Sequence, residues 1–153
     1  MTDSQDPQTS AAGSTSSPRS YFDDSSRRAV AAALDEMVPG ASDLGGVDYV
    51  ERLLTALDHD PPHIWAAPAS SGVDWLELGP WEREAWSRRI EDWRGAYARV
   101  VAGKPTAADR QLVREHAAES TYGDPAYGGN RDGAAWQQVG FPAPMFPPSR
   151  PAS

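Results

Sequence analysis

The stretch Pro80-Trp-Glu-Arg-Glu-Ala-Trp86-Ser-Arg-Arg-Ile90-Glu-Asp-Trp93-Arg-Gly-Ala-Tyr97-Ala-Arg-Val100-Val101-Ala-Gly103 decides the fold class. Pro80 suits the first helical position, where its missing N–H has no intrahelical partner to lose. Glu82 and Glu84 follow at the positive end of the helix dipole. Trp86, Ile90, Trp93, Tyr97, Val100 and Val101 then recur at intervals of three and four, which marks one apolar face. Arg83, Arg88, Arg89 and Arg94 share the remaining surface with Glu84, Glu91 and Asp92, and Glu84–Arg88 is an i,i+4 ion pair. Gly103 ends the helix. A stripe of this length must be covered by other amphipathic elements.

Those elements flank it. Asp24 or Ser25 is expected to cap a first helix that carries Val30, Leu34 and Met37 and stops near Met37, before Pro39-Gly40. A second helix is expected from Val47 to Leu57, with Val47, Val50, Leu54 and Leu57 on one stripe, broken by Asp58-His59-Asp60-Pro61-Pro62. Thr106 followed by Asp109 resembles a capping box, and opens a fourth helix carrying Leu112, Val113 and His116 to about Ala118. The expected fold is therefore all-α, a bundle of about four helices over residues 21–120.

The ends read differently. Residues 1–20 hold no large apolar side chain beyond Met1, so burial cannot offset the entropy of ordering them, and the pattern predicts disorder. Residues 121–153 form a Gly/Pro-rich extension without periodicity, in which Asp132 is expected to cap a short helical turn through Trp136. Phe141-Pro-Ala-Pro-Met-Phe-Pro-Pro is expected to be extended.

Composition bounds the chemistry. The 153 residues carry a formal charge of −8, which argues against a nucleic-acid backbone binder. Cysteine is absent, so disulfides, thiolate metal sites and iron–sulfur ligation are excluded within this chain. No apolar run reaches ~20 residues, so no membrane insertion is expected. Arg27-Arg28 before Ala29–Leu34 superficially resembles a twin-arginine export signal. The run is too short and ends at Asp35-Glu36, so the pair is read as the solvated face of a helix, and a cytoplasmic location is expected.

Candidate catalytic groups fare poorly. His59 and His63 flank Pro61-Pro62, which denies them the shared helix face a metal pair would use, and a polar loop is the preferred reading. His116 is read as a hydrogen-bonded helix residue rather than a base. A Gly-x-Ser-x-Gly elbow, a phosphate loop and a dinucleotide fingerprint are all missing, and Asn130-Arg131-Asp132-Gly133 lacks the bidentate Glu of a calcium loop. No catalytic, cofactor or metal residue is assigned. The six Trp are too many for a core of ~100 helical residues. Trp65 and Trp75, in the irregular connection 58–80, are read either as a lid on the bundle or as part of an interface.

The C-terminal run is more specific. Tyr122-Gly-Asp124-Pro-Ala-Tyr127-Gly-Gly-Asn130-Arg131-Asp132-Gly-Ala-Ala-Trp136-Gln-Gln-Val-Gly-Phe141-Pro142 resembles the terminal signature of the gluconate 2-dehydrogenase subunit 3 family. Val47–Leu54, Trp75-Leu-Glu-Leu78 and Trp86-Ser-Arg-Arg-Ile90 also resemble segments of that family, and the likeness spans about residues 22–144. The resemblance implies a non-catalytic small subunit whose partner is a large FAD-binding oxidoreductase of the glucose–methanol–choline type acting on a sugar or polyol. It implies a cytochrome c subunit as a further candidate partner, and no cofactor in this chain. Many members bear a twin-arginine signal; residues 1–20 do not, so a cytoplasmic complex, or a periplasmic one exported with its partner, is expected.

Tyr122, Asp124, Tyr127, Asn130, Arg131, Asp132, Trp136 and Phe141, with Trp65 and Trp75, are the candidate partner-binding residues, several being types enriched at interface hot spots. The competing expectation is that the segment folds back over its own bundle, with Arg131 paired internally to an acid. A transient assembly chaperone of the flavoprotein and a stand-alone metal protein using His59, His63 and His116 are the alternatives.

Overall fold

The computed structural model describes residues 20–64, 76–123 and 129–140. Among them are five α-helices: α1 (Asp24–Met37), α2 (Gly46–Leu54), α3 (Pro80–Val101), α4 (Ala107–Tyr122) and α5 (Ala134–Gln138). A 3-10 turn, Arg131–Gly133, precedes α5. Two short strands, β1 (His63–Ile64) and β2 (Leu76–Glu77), pair antiparallel with His63 opposite Glu77. The fold is the expected small all-α bundle.

Helix α1 packs against α2, α3 and α4 together. Its Val30 and Leu34 are fully buried, one turn apart, as the i,i+4 spacing dictates. The cap lies one residue earlier than expected. Asp23, not Asp24 or Ser25, accepts the Ser26 amide at 2.7 Å, and this bond holds its carboxyl below the usual range. Phe22 accounts for the offset: it is buried beneath the cap with its ring 6.1 Å from that of Tyr97.

Helix α2 ends at Leu54 rather than Leu57. The Thr55 amide and hydroxyl both bond the Glu51 carbonyl, at 3.0 and 2.8 Å. Arg94 of α3 donates to the Leu54 carbonyl at 2.6 and 3.1 Å and pairs with Asp58 at 2.9 Å. Side chains thus satisfy carbonyls that another helical turn would have used.

Helix α3 begins at Pro80 as expected, with Glu82 accepting the Gly79 amide at 2.7 Å and Arg88 bonded to Glu84 at 3.0 Å. Gly103, at φ +72°, stops it. The apolar stripe is buried unevenly. Ile90, Ala96 and Tyr97 are buried, whereas Trp86 and Trp93 are only half-buried and Trp81 is 84% exposed. Trp86 is therefore not the core residue that the spacing suggests, whereas Trp93 packs against the core from its edge. They meet edge to face at 5.8 Å, with the Arg89 guanidinium over both rings.

The capping box of α4 is present in both directions: the Asp109 amide donates to Thr106 Oγ1 at 3.1 Å, and the Thr106 amide to Asp109 Oδ2 at 2.8 Å. α4 continues past Ala118 to Tyr122, crossing the expected boundary at 120. Its last turn is covered by the returning chain, which buries Ser120 and Thr121.

Candidate functional site

Residues 129–140 return onto the bundle at the end of α4. Gly129 makes the approach possible: a Cβ there would lie 2.1 Å from the Ser120 carbonyl oxygen. The next amide, that of Asn130, donates to this same oxygen at 2.5 Å. Asn130 is fully buried; its Nδ2 donates to the Gly123 carbonyl at 2.9 Å, and its Oδ1 accepts the Ala135 amide at 3.0 Å. One side chain thereby ties together the end of α4 and the start of α5, at a backbone φ of +41° that Asn tolerates better than most residues.

Asp132 has a left-handed backbone, φ +58°, within the 3-10 turn, and Gly133 is the residue before α5. The expected cap by Asp132 is therefore absent, because a cap needs an extended backbone to aim its carboxylate at the first amides. Trp136 Nε1 donates to the Tyr122 carbonyl at 2.8 Å, while the Tyr122 side chain is 52% exposed.

Arg131 faces α2. Its amide donates to the Leu44 carbonyl at 3.1 Å, and its guanidinium comes within 3.6 Å of Asp48. Asp48 is shared with Arg27 of α1 at 2.8 Å, and Arg27 also pairs with Glu51. These two acids raise the Arg27 pKa, chiefly through the bond to Asp48. Arg27 is accordingly a clamp between α1 and α2 and not a residue of the solvated face; Arg28 beside it is exposed. Together with Arg131, the two arginines line an open cavity of about 270 Å³ whose other walls include Ser42, Gly45, Val47 and Asp48.

Of the candidate residues, Asn130, Arg131, Asp132, Trp136 and Tyr122 are brought together where 129–140 meets α4 and α2. Asp124, Tyr127, Phe141, Trp65 and Trp75 lie outside the described residues, as do the extended stretch from Phe141 and the arm before Ser20. The cavity residues Arg27, Arg28 and Asp48 were missed as a group. The usable signal was the i,i+3 pair Asp48/Glu51 on α2, which offers two carboxylates on one face to a basic neighbour.

The histidines divide. The His59 and His63 rings lie 4.3 Å apart after α2, and burial lowers the His59 pKa. His116 sits in the core with Nδ1 2.9 Å from the Tyr97 hydroxyl, packed against Tyr49 and Trp93. Burial pushes its pKa down to about 4, so it is neutral at pH 7. Among the described residues no three His, Asp or Glu side chains are grouped so as to hold a metal ion, and no helix is long and apolar enough to cross a membrane.

The fold and site thus define an all-α bundle with a folded-back, arginine-bearing segment. No protein-family model matches the chain, and neither a curated protein nor a solved structure shows significant similarity to it.

Proposed function

We propose that this chain is a non-catalytic accessory subunit of an FAD-dependent sugar or polyol dehydrogenase, supporting the assembly and stability of the catalytic flavoprotein. The observation that carries the reading is the run Tyr122–Pro142, which resembles the terminal signature of gluconate 2-dehydrogenase subunit 3. Its support from the geometry is that Arg131 and Tyr122 stand exposed on a backbone anchored by Asn130 and Trp136. Arg and Tyr held on a rigid base contribute to an interface at low entropic cost. On this reading FAD resides in the large partner, and a cytochrome c subunit is a further member of the complex.

The test is affinity purification of the tagged chain from its own cells. The reading expects a co-purifying flavoprotein at equal stoichiometry, with flavin absorbance and sugar-dependent dye reduction. A flavoprotein that separates from the chain once mature would mean an assembly chaperone instead. A chain that carries flavin, metal or activity by itself would overturn the reading.

A further inference from the structure

The cavity between α1, the first turn of α2 and Arg131 has a composition at odds with the molecule around it. The chain is acidic, at −8, yet three arginines, Arg27, Arg28 and Arg131, line this cavity with Asp48 as its one acid. Arg27 is committed to Asp48 and Glu51. Arg28 makes no hydrogen bond or ion pair among the described residues. Arg131 makes a single contact to Asp48 at 3.6 Å, beyond hydrogen-bond length. Two guanidinium groups therefore line the cavity with most of their donors unused.

We propose that this cavity receives a carboxylate from an acidic surface segment of a partner protein; the proposal rests on the subunit reading above. The planar donor forks of Arg28 and Arg131 suit a carboxylate held by two bonds from each side. Arg27, occupied by Asp48 and Glu51, keeps those acids from repelling the incoming group. The open face selects the source of the anion. About 270 Å³, open on one side, is below the roughly 300–1,000 Å³ of sites that enclose a whole small ligand. A free anion is gripped on one face only, whereas a carboxylate on a protein surface is also held by the contacts around it. The site exists only in the folded-back state, because Arg131 is delivered by the hydrogen bond its amide donates to the Leu44 carbonyl.

The test titrates the full chain, labelled with ¹⁵N, with end-blocked hexaglutamate and, separately, with inorganic phosphate at low ionic strength. The proposal expects saturable peptide-induced shifts at the Val47, Asp48 and Arg131 amides. The Arg28→Ala/Arg131→Ala double variant should raise the peptide Kd about tenfold. Arg110→Ala/Arg114→Ala, which changes the net charge equally on the exposed face of α4, should leave it near wild type. Shifts confined to other residues, or equal weakening in both double variants, would overturn the proposal. So would phosphate saturating the same amides as tightly as the peptide, since that marks a free-anion site. Because the flavoprotein is not used, a failed titration leaves the subunit reading standing, and a failed co-purification leaves the titration valid.

Discussion

His116 and Gly129 show how single positions carry consequences beyond their neighbourhood. His116 is 2% exposed, bonded to Tyr97 and walled by Tyr49 of α2 and Trp93 of α3, with the Glu115 carboxylate beside it on α4 opposing the effect of burial. Its folded pKa of about 4 lies below the 6.5 of the unfolded chain, so the unfolded state binds the proton first as pH falls. Stability should therefore decline between pH 6.5 and 4, by up to about 3 kcal/mol, and hold steady above that window. His116→Phe should be less stable at pH 7.5 by about 1–2 kcal/mol, through the unpartnered Tyr97 hydroxyl. Its urea-derived stability should be nearly flat from pH 6.5 to 4, and a slope equal to wild type would refute the assignment. At Gly129 the constraint is space. Gly129→Ala must push the returning chain off Ser120, and a cost of about 2 kcal/mol is expected, with faster amide exchange at Asn130 and Ala135 while the core amides of α1 stay protected.

At the scale of the element, the best-read helix start is that of α4. Thr106 and Asp109 satisfy each other's amides, and Asp109, 3% exposed, also takes two bonds from Arg99 at 2.7 and 2.8 Å. Arg99 above all holds the Asp109 carboxyl far below the usual carboxylate range. Thr106→Ala should cost about 1 kcal/mol in chemical denaturation. Asp109→Ala, which removes both the cap and the Arg99 pair, should cost about 2 kcal/mol or more. A smaller loss for Asp109→Ala than for Thr106→Ala would show that the Arg99 pair contributes nothing. The capping box was legible because its partners are three residues apart in sequence. The early end of α2 was not, because Arg94, which bonds the Leu54 carbonyl, arrives from forty residues away. The same applies to Asp23: its capping role depends on the burial of Phe22 against Tyr97, a tertiary contact.

At the scale of the whole molecule, α1, α2, α3 and α4 each pack on the other three, and Leu34 of α1 is fully buried in the core they share. Leu34→Ala should therefore remove about 3 kcal/mol and lower the melting temperature in one cooperative step. Separate transitions for α1 and α4 would contradict a shared core. The all-α class, the positions of the four main helices and the capping box of α4 are local properties of the sequence, because they follow from residues within a few positions of one another. So is the place of His116 on the apolar side of α4. Which part of the α3 stripe is buried, with Tyr97 enclosed and Trp86 only half covered, was decided by how far the neighbouring helices reach. The cavity was decided the same way. Arg27, Asp48 and Arg131 span more than a hundred residues of chain, and they meet only because Gly129 lets the backbone reach Ser120 and Asn130 holds it there. Such contacts depend on the close packing of distant segments, which no local spacing encodes.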